Sequence, residues 1–234
     1  MIKSVNKATG LCAAALFTLS VAHATPVTVN NFSFEQDVTG GSTVTPPTGW
    51  TAFYDGQPGN FIGSQAAAGG QYPGSPPLTS PGDGNQFMYI NNGGGVGVTD
   101  GVYQNVGTLL ADTTYTLTVA IGSRSDWGGG NGQGTISLLN GIDQTGTVLA
   151  STTSDVAPQT GTFTDFTATF TTGASVSGDL IIDLAVPGTA AFAQGDFDNV
   201  LLDATPVPEP ATCGLLGGGL LLSLIARRRK QAAK

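Results

Sequence analysis

Basic side chains are nearly absent from the middle of this 234-residue chain. Between residues 25 and 205 there are fifteen acidic side chains and a single basic one, Arg124, so this segment carries a net charge of −14. A groove that binds nucleic acid is excluded, because neutralising phosphates requires several lysine or arginine side chains. Neutral glycans and divalent cations are better candidates as ligands.

Lysine, histidine and cysteine do not occur in this segment at all. Their absence excludes serine–histidine–aspartate and cysteine–histidine nucleophiles, Schiff-base lysines, and metal sites built on imidazole or thiolate. Carboxylate chemistry remains, as in glycoside hydrolases that use two carboxyl groups. However, Glu35 is the segment's one glutamate, and the aspartates lie in turn-like sequences that favour this residue. We therefore predict a non-catalytic domain, with a carboxylate-based glycan hydrolase as an alternative.

Residues 1–24 have the features of a signal peptide. Lys3 and Lys7 precede an apolar run over residues 11–21, and Ala22-His23-Ala24 has the small residues that signal peptidase recognises. We expect cleavage after Ala24 and export of the protein.

Residues 206–234 predict a second targeting segment in three parts. Residues 206–210 alternate proline with other residues and form a linker, since proline continues neither a strand nor a helix. Residues 211–226 are an uncharged run rich in leucine and glycine, which predicts a short transmembrane helix. The basic end, 227–234, would remain on the cytoplasmic side of the membrane.

This tail resembles the PEP-CTERM sorting signal of Gram-negative bacteria. The resemblance rests on a Pro-Glu-Pro motif, a short apolar helix and an arginine cluster in that order. It implies processing by an exosortase and residence in the cell envelope, with the C-terminal helix at least transiently in the inner membrane before the protein reaches the cell surface or the medium. The sorting motif would be Val207, Pro208, Glu209 and Pro210, and the basic stop would be Arg227, Arg228, Arg229 and Lys230.

Between the two ends, short apolar runs alternate with turn residues, which is typical of strands. In the run over residues 113–123, Tyr115, Leu117, Val119 and Ile121 share one face. We predict nine strands, at 49–55, 86–90, 102–106, 113–123, 135–139, 148–153, 163–171, 180–186 and 197–204. Without helical crossovers they must pair antiparallel, so residues 25–205 are expected to form an all-β, two-sheet jelly-roll sandwich with a long insertion at 58–84.

Five short motifs resemble the galactose-binding-like jelly rolls found among carbohydrate-binding modules. They lie at residues 30–35, 49–51, 102–106, 113–117 and 197–200. The resemblance implies that Glu35 and Asp198 lie together and hold a structural Ca²⁺, an ion that takes carboxylate and carbonyl oxygens. The alternative is that Asp196, Asp198 and Asp203 are solvent-facing positions of an edge strand.

Aromatic side chains in the long loops predict a sugar-binding surface, because their rings present flat apolar faces with polar edges. Trp127 lies in a glycine-rich stretch and is the first candidate, followed by Tyr54 and Tyr72. Arg124 would pair with Asp126 or with a ligand hydroxyl. We expect a matrix protein that binds exopolysaccharide or another neutral glycan, or alternatively a structural surface protein without a specific glycan.

Overall fold

The computed structural model describes residues 22–37, 40–54, 59–93, 97–127, 132–154, 160–188, 192–208 and 219. The chain divides into two compact units, Met1–Ala22 with Pro208–Lys234, and His23–Val207. Every strand of the described residues belongs to the second unit. The predicted signal peptide up to residue 21, most of the predicted membrane helix and the basic stop lie outside the described residues. Within them, no helix is long and apolar enough to cross a membrane.

Eleven strands are present in the described part of the chain. In chain order they are β1 (Thr25–Val27), β2 (Thr51–Phe53), β3 (Phe61–Ala66), β4 (Gln86–Asn92), β5 (Thr99–Thr108), β6 (Thr113–Ser123), β7 (Thr135–Gly141), β8 (Thr147–Thr153), β9 (Thr162–Thr171), β10 (Asp179–Pro187) and β11 (Ala193–Pro206).

The strands form two antiparallel sheets. Sheet A has the order β3-β4-β11-β6-β9, with β1 also pairing with β11, and sheet B has the order β2-β5-β10-β7-β8. The prediction of an all-β, two-sheet sandwich is confirmed. All nine predicted strands are present, while β1 and β3 were not predicted. The strand β3 lies inside the segment 58–84 and pairs with β4, so part of that insertion extends the sheet.

The main hydrophobic core lies between the two sheets. From sheet A, Leu117, Val119 and Ile121 of β6 are fully buried in it. From sheet B, Ile182 and Leu184 of β10 are equally buried. This is the alternation that the sequence of β6 predicts, because successive strand residues point to opposite faces.

A second hydrophobic cluster covers the outer face of sheet A. Residues 67–85, here called the covering segment, run from the end of β3 to the start of β4, and the backbone N–H of Ala67 donates to the carbonyl of Asn85 at 2.8 Å. The cluster consists of Ala67, Tyr72, Leu78, Phe87, Tyr89, Ala120 and Phe163. The covering segment therefore buries a sheet face that a simple sandwich leaves to solvent.

Candidate functional site

A buried carboxyl group lies under the covering segment. Asp196 of β11 is fully buried, and β11 is flanked by strands on both sides in sheet A. Its Oδ2 accepts a 2.5 Å hydrogen bond from the hydroxyl of Tyr72, and its Oδ1 accepts one of 2.9 Å from Nε2 of Gln194. Tyr72 is thus bound to a strand 124 positions away in the sequence.

A glycine in the neighbouring strand makes room for this pair. Gly122 of β6 lies directly opposite Asp196 in the sheet, and a Cβ atom there would clash with the Tyr72 hydroxyl and the Phe163 ring. The Tyr72 ring stacks on Phe163 with centroids 4.5 Å apart, and it meets Phe87 edge-on at 5.3 Å. Two phenylalanine rings therefore fix the position of the Tyr72 side chain.

Burial raises the pKa of both Asp196 and Tyr72. It raises the pKa of Asp196 to about 7, and the hydrogen bond from Tyr72 and the charge of Arg124 oppose this shift. Burial and the nearby Asp196 carboxylate both raise the pKa of Tyr72, so its phenol stays protonated. Near neutral pH the pair can therefore gain or lose one proton at Asp196, which is the property a general acid or base requires.

Tyr72 also lines a pocket that opens beside this pair. The cavity has a volume of about 340 Å³ and lies between the covering segment and residues 160–163. Its walls combine the apolar groups of Leu78 and Phe163 with hydroxyl-bearing residues such as Thr79 and Ser80. Tyr72 thus lines the pocket and also binds the buried acid through its hydroxyl.

The structure brings the two predicted calcium ligands to the same stretch of backbone. Oε1 of Glu35 accepts hydrogen bonds of 2.7 Å from the backbone N–H groups of both Asn85 and Gln86. Asp198 accepts one of 2.7 Å at Oδ2 from the N–H of Asp83. Burial raises the pKa of Asp198, and the negative charges of Asp83 and Glu35 raise it further. Both carboxylates therefore anchor the end of the covering segment.

In the described part of the chain, no group of three or more His, Cys, Asp and Glu side chains is arranged to hold a metal ion. Two carboxylates cannot supply all of the six to eight oxygen ligands that Ca²⁺ takes, so other oxygens such as backbone carbonyls would have to complete the set. The calcium site stays a prediction.

The predicted sugar-binding residues do not gather in one place. Tyr72 is buried at the pocket, whereas Trp127 is 39% exposed and Tyr54 is 44% exposed, and neither of them lines it. Arg124 forms two hydrogen bonds of 2.9 Å with Asp126, and its guanidinium carbon lies 5.8 Å from the centroid of the Trp127 ring. The hydrogen bond from Arg124 lowers the pKa of Asp126.

The structure includes two residues of the predicted sorting motif, Val207 and Pro208, among its described residues. The backbone N–H of Val207 donates to the carbonyl of Asp112 at 2.6 Å, directly after β11, and Pro208 is exposed. The remaining motif and basic-stop residues lie outside the described residues: Glu209, Pro210, Arg227, Arg228, Arg229 and Lys230.

Sequence reasoning missed the acid of this site. The alternative of an edge strand with solvent-facing aspartates is wrong for Asp196 and Asp198, since both are fully buried in the interior of sheet A. A signal was present, because both flank Phe197, which faces the main core, and alternation places them together on the opposite face. Nothing in the sequence shows that the covering segment buries that face.

Comparison with known protein families identifies the family of this chain. Residues 25–203 match the sequence model of the HpiC1-like family, described as HpiC1 cyclase, and this match covers more than half of the chain. The chain belongs to the HpiC1-like cyclase family. Residues 206–230 match the PEP-CTERM protein-sorting motif. No curated protein matches the chain.

Solved structures of cyclases from Fischerella share the fold of this HpiC1-like domain. An apo cyclase from Fischerella sp. is 25% identical, with a TM-score of 0.65 over 80% of this chain and 98% of its own. A Stig cyclase in complex with (3Z)-3-(1-methyl-2-pyrrolidinylidene)-3H-indole is 24% identical, with a TM-score of 0.66 over 80% and 100%. A cyclase in complex with 4-(1H-indol-3-yl)butan-2-one is 24% identical, with a TM-score of 0.65 over 79% and 100%.

These matches confirm one resemblance and correct one expectation. The sorting motif confirms that the protein is an exported, envelope-associated substrate of an exosortase. The domain matches the HpiC1-like family, and its resemblance to the carbohydrate-binding modules stays a prediction. The prediction of a non-catalytic domain is wrong, because this family and its solved relatives are cyclases. The absence of His, Cys and Lys excluded several catalytic systems but not a buried carboxyl acid.

Proposed function

We propose that this exported domain is a cyclase that closes a ring in an apolar, aromatic substrate by proton transfer through Tyr72 and Asp196. The observation that carries the proposal is the 2.5 Å hydrogen bond between these side chains at the wall of a pocket, in a domain of the cyclase family. The indole compounds bound by two Fischerella cyclases support an aromatic substrate.

The proton balance of such a step is simple. With Asp196 protonated, its carboxyl hydrogen is donated to the Tyr72 oxygen while the Tyr72 hydroxyl gives its own proton to a substrate carbon. The substrate becomes a cation, its ring closes, and a proton returns through Tyr72 to the Asp196 carboxylate. No net oxidation or reduction occurs, so the reaction needs no redox cofactor.

The surroundings of the pair suit this role. The rings of Tyr72 and Phe163 can stabilise a developing positive charge through their π-faces. The carboxylate left on Asp196 after proton transfer stabilises the same charge, and the attraction is strong there because water is excluded from this fully buried group. Gln194 holds the other carboxylate oxygen in place.

The test compares proton-relay variants on indoles that carry alkenyl side chains. The full chain is incubated with these substrates in D₂O, and ring-closed products of unchanged composition are followed by chromatography and deuterium incorporation. Asp196→Asn and Tyr72→Phe should each lower turnover by roughly 10²-fold or more, as expected for loss of general acid catalysis. Trp127→Phe, outside the pocket lining, is the matched control and should keep full activity.

Each variant needs a check of its fold by circular dichroism. Turnover that persists in a folded Asp196→Asn variant would contradict the role of Asp196 as the acid. Binding of 4-(1H-indol-3-yl)butan-2-one without turnover of any substrate would mean that the site binds ligands but does not catalyse ring closure.

Binding of a neutral glycan is a second candidate function. The observation that favours it is the exposed ring of Trp127, which offers a flat apolar face and lies 5.8 Å from the guanidinium carbon of Arg124. Saturable retention on exopolysaccharide should disappear in Trp127→Ala and persist in Asp196→Asn. Equal retention of both variants would rule out this surface.

A further inference from the structure

The outer face of sheet B carries a row of polar side chains that crosses all five strands. The backbone register places Asp183 of β10 between Tyr103 of β5 and Ser137 of β7. These residues face away from the main core, because their neighbours Leu184 and Val102 are buried in it. From edge to edge the row consists of Thr51, Tyr103, Asp183, Ser137 and Ser151.

The central carboxyl group of this row has an oxygen without a partner among the described residues. Asp183 is 9% exposed, and its Oδ1 is buried without any hydrogen-bond donor. The hydroxyl of Ser137, which lies opposite Asp183, does not donate to this oxygen, because its Oγ donates to Oγ of Ser151 at 3.0 Å. Buried carboxylates without donors are rare in folded proteins, so the group requires an explanation.

Within the described part of the chain, no charged side chain compensates Asp183. Burial alone raises the pKa of Asp183 to about 7. The titratable group beside it is Tyr103, and the strands β2, β7 and β8 contribute hydroxyls to the row. Asp179, four residues earlier in β10, is held by Asn105 and Thr108. Near neutral pH this face therefore presents a half-ionised carboxyl group without a counter-ion.

Aromatic groups border the same position. Next to Tyr103 along this face of β5 lies Gly101, where a Cβ atom would clash with the Phe53 ring, so that ring lies directly against the strand. Ala185 follows Asp183 on the same face of β10 and is small. The carboxyl group thus lies opposite Tyr103 of β5, and the Phe53 ring of β2 contacts the next outward position of β5, Gly101. Aromatic faces attract cations.

We propose that the row centred on Asp183 binds an alkylammonium group, with Asp183 as its counter-ion and Tyr103 and Phe53 as its aromatic walls. A protonated amine supplies both the missing donor and the missing positive charge. A neutral polyol would supply hydrogen bonds alone and leave the buried charge uncompensated. The net charge of −14 in residues 25–205, with Arg124 as their one cation, draws cations to the domain. This site lies on the opposite sheet from the Tyr72–Asp196 pair.

The test titrates the Asp183 carboxyl carbon by NMR in the purified, ¹³C-labelled full chain, with its signal assigned from the Asp183→Asn variant. Butylamine is the probe, and it is protonated at every pH used. Binding should tighten as the pH rises from 5 to 8, by up to about 100-fold if the ionised carboxyl alone binds. Saturating butylamine should lower the apparent pKa of Asp183.

Two variants and two control ligands decide the outcome. Asp183→Asn should lose butylamine binding while keeping its fold, whereas Asp143→Asn, in a surface turn, should bind like the parent. Tyr103→Leu should weaken binding several-fold without abolishing it. The proposal is overturned if binding does not depend on pH, if Asp183→Asn retains it, if butanol binds as well as butylamine, or if tetramethylammonium, which has no N–H donor, binds equally.

Discussion

At the scale of single residues, Asp183 and Asp196 show how the same side chain acquires different roles. Both are buried in interior strands, and burial raises the pKa of each to about 7. Asp196 has a donor on each oxygen and is sealed under Tyr72, whereas Oδ1 of Asp183 has none among the described residues. We therefore propose Asp196 as an acid behind a pocket and Asp183 as a group that binds a ligand.

The raised pKa of Asp183 predicts the pH dependence of stability. The unfolded chain releases this proton near its ordinary pKa of about 3.9, whereas the folded chain holds it up to about pH 7. Between these values the folded state binds more protons, so the free energy of unfolding should fall as the pH rises from about 4 to about 7. Urea unfolding at pH 4.5 and pH 8 measures this loss.

Asp183→Asn should reduce that loss by up to about 4 kcal/mol, because an amide does not ionise and three pKa units correspond to this energy. Asp143→Asn is the control, since the Asp143 carboxyl group lies at the surface. If Asp183→Asn and the parent lose the same stability between these two pH values, the carboxyl is not buried as described. Some loss should remain in the variant, owing to Asp196.

At the scale of elements, the site depends on how one loop-like segment fits onto one sheet. The covering segment is held at its end by Glu35 and Asp198, and nearer its start by the hydrogen bond from Tyr72 to Asp196. The strand β11 makes this possible, because Asp196 and Asp198 are two residues apart and therefore share the outer face of sheet A. Side chains of one strand can thus serve both the pocket and the anchor.

A methyl group at position 122 tests this fit. Gly122→Ala should destabilise the domain by about 1–3 kcal/mol, because the new Cβ overlaps the Tyr72 hydroxyl and the Phe163 ring. The same change should lower cyclase turnover by displacing Tyr72. Thermal unfolding and the activity assay measure the two effects.

Gly70→Ala is the matched control within the covering segment, since no atom lies within 4 Å of a Cβ there. We expect its stability to stay within about 0.5 kcal/mol of the parent. A Gly122→Ala variant as stable as this control would mean that the covering segment does not pack on β6 as described.

At the scale of the whole molecule, a strongly acidic sandwich is coupled to an envelope-sorting tail. The acidic charge is spread over residues 25–205, while the basic residues other than Arg124 lie at the two ends. The family match ends at residue 203 and the sorting motif begins at residue 206, so the two functions occupy adjacent parts of the chain.

The predicted calcium ion has a direct test on the complete protein. If Glu35 and Asp198 hold Ca²⁺ with nearby carbonyls, a chelator should lower the melting temperature and added Ca²⁺ should restore it, because a ligand of the native state stabilises that state. Glu35→Gln should remove most of this response. A melting temperature that does not respond to the chelator would exclude a bound calcium ion under these conditions.

The amino-acid sequence alone determined the sandwich and its strands, because the period-two alternation that defines a strand is local. It also determined the sorting tail, whose prolines, apolar run and arginines are contiguous. The short strands β1 and β3 were not predicted, since three and six residues carry little periodic signal.

Only the tertiary structure decided which aspartates matter. Asp183 interrupts the apolar run of β10 and could have been noticed. Whether its carboxyl group finds a hydrogen-bond donor, however, depends on side chains from neighbouring strands. Tyr72 and Asp196 meet across 124 positions because the covering segment folds onto one face of sheet A. Burial sets their protonation, and burial is a property of the packed chain, which no local pattern of residues contains.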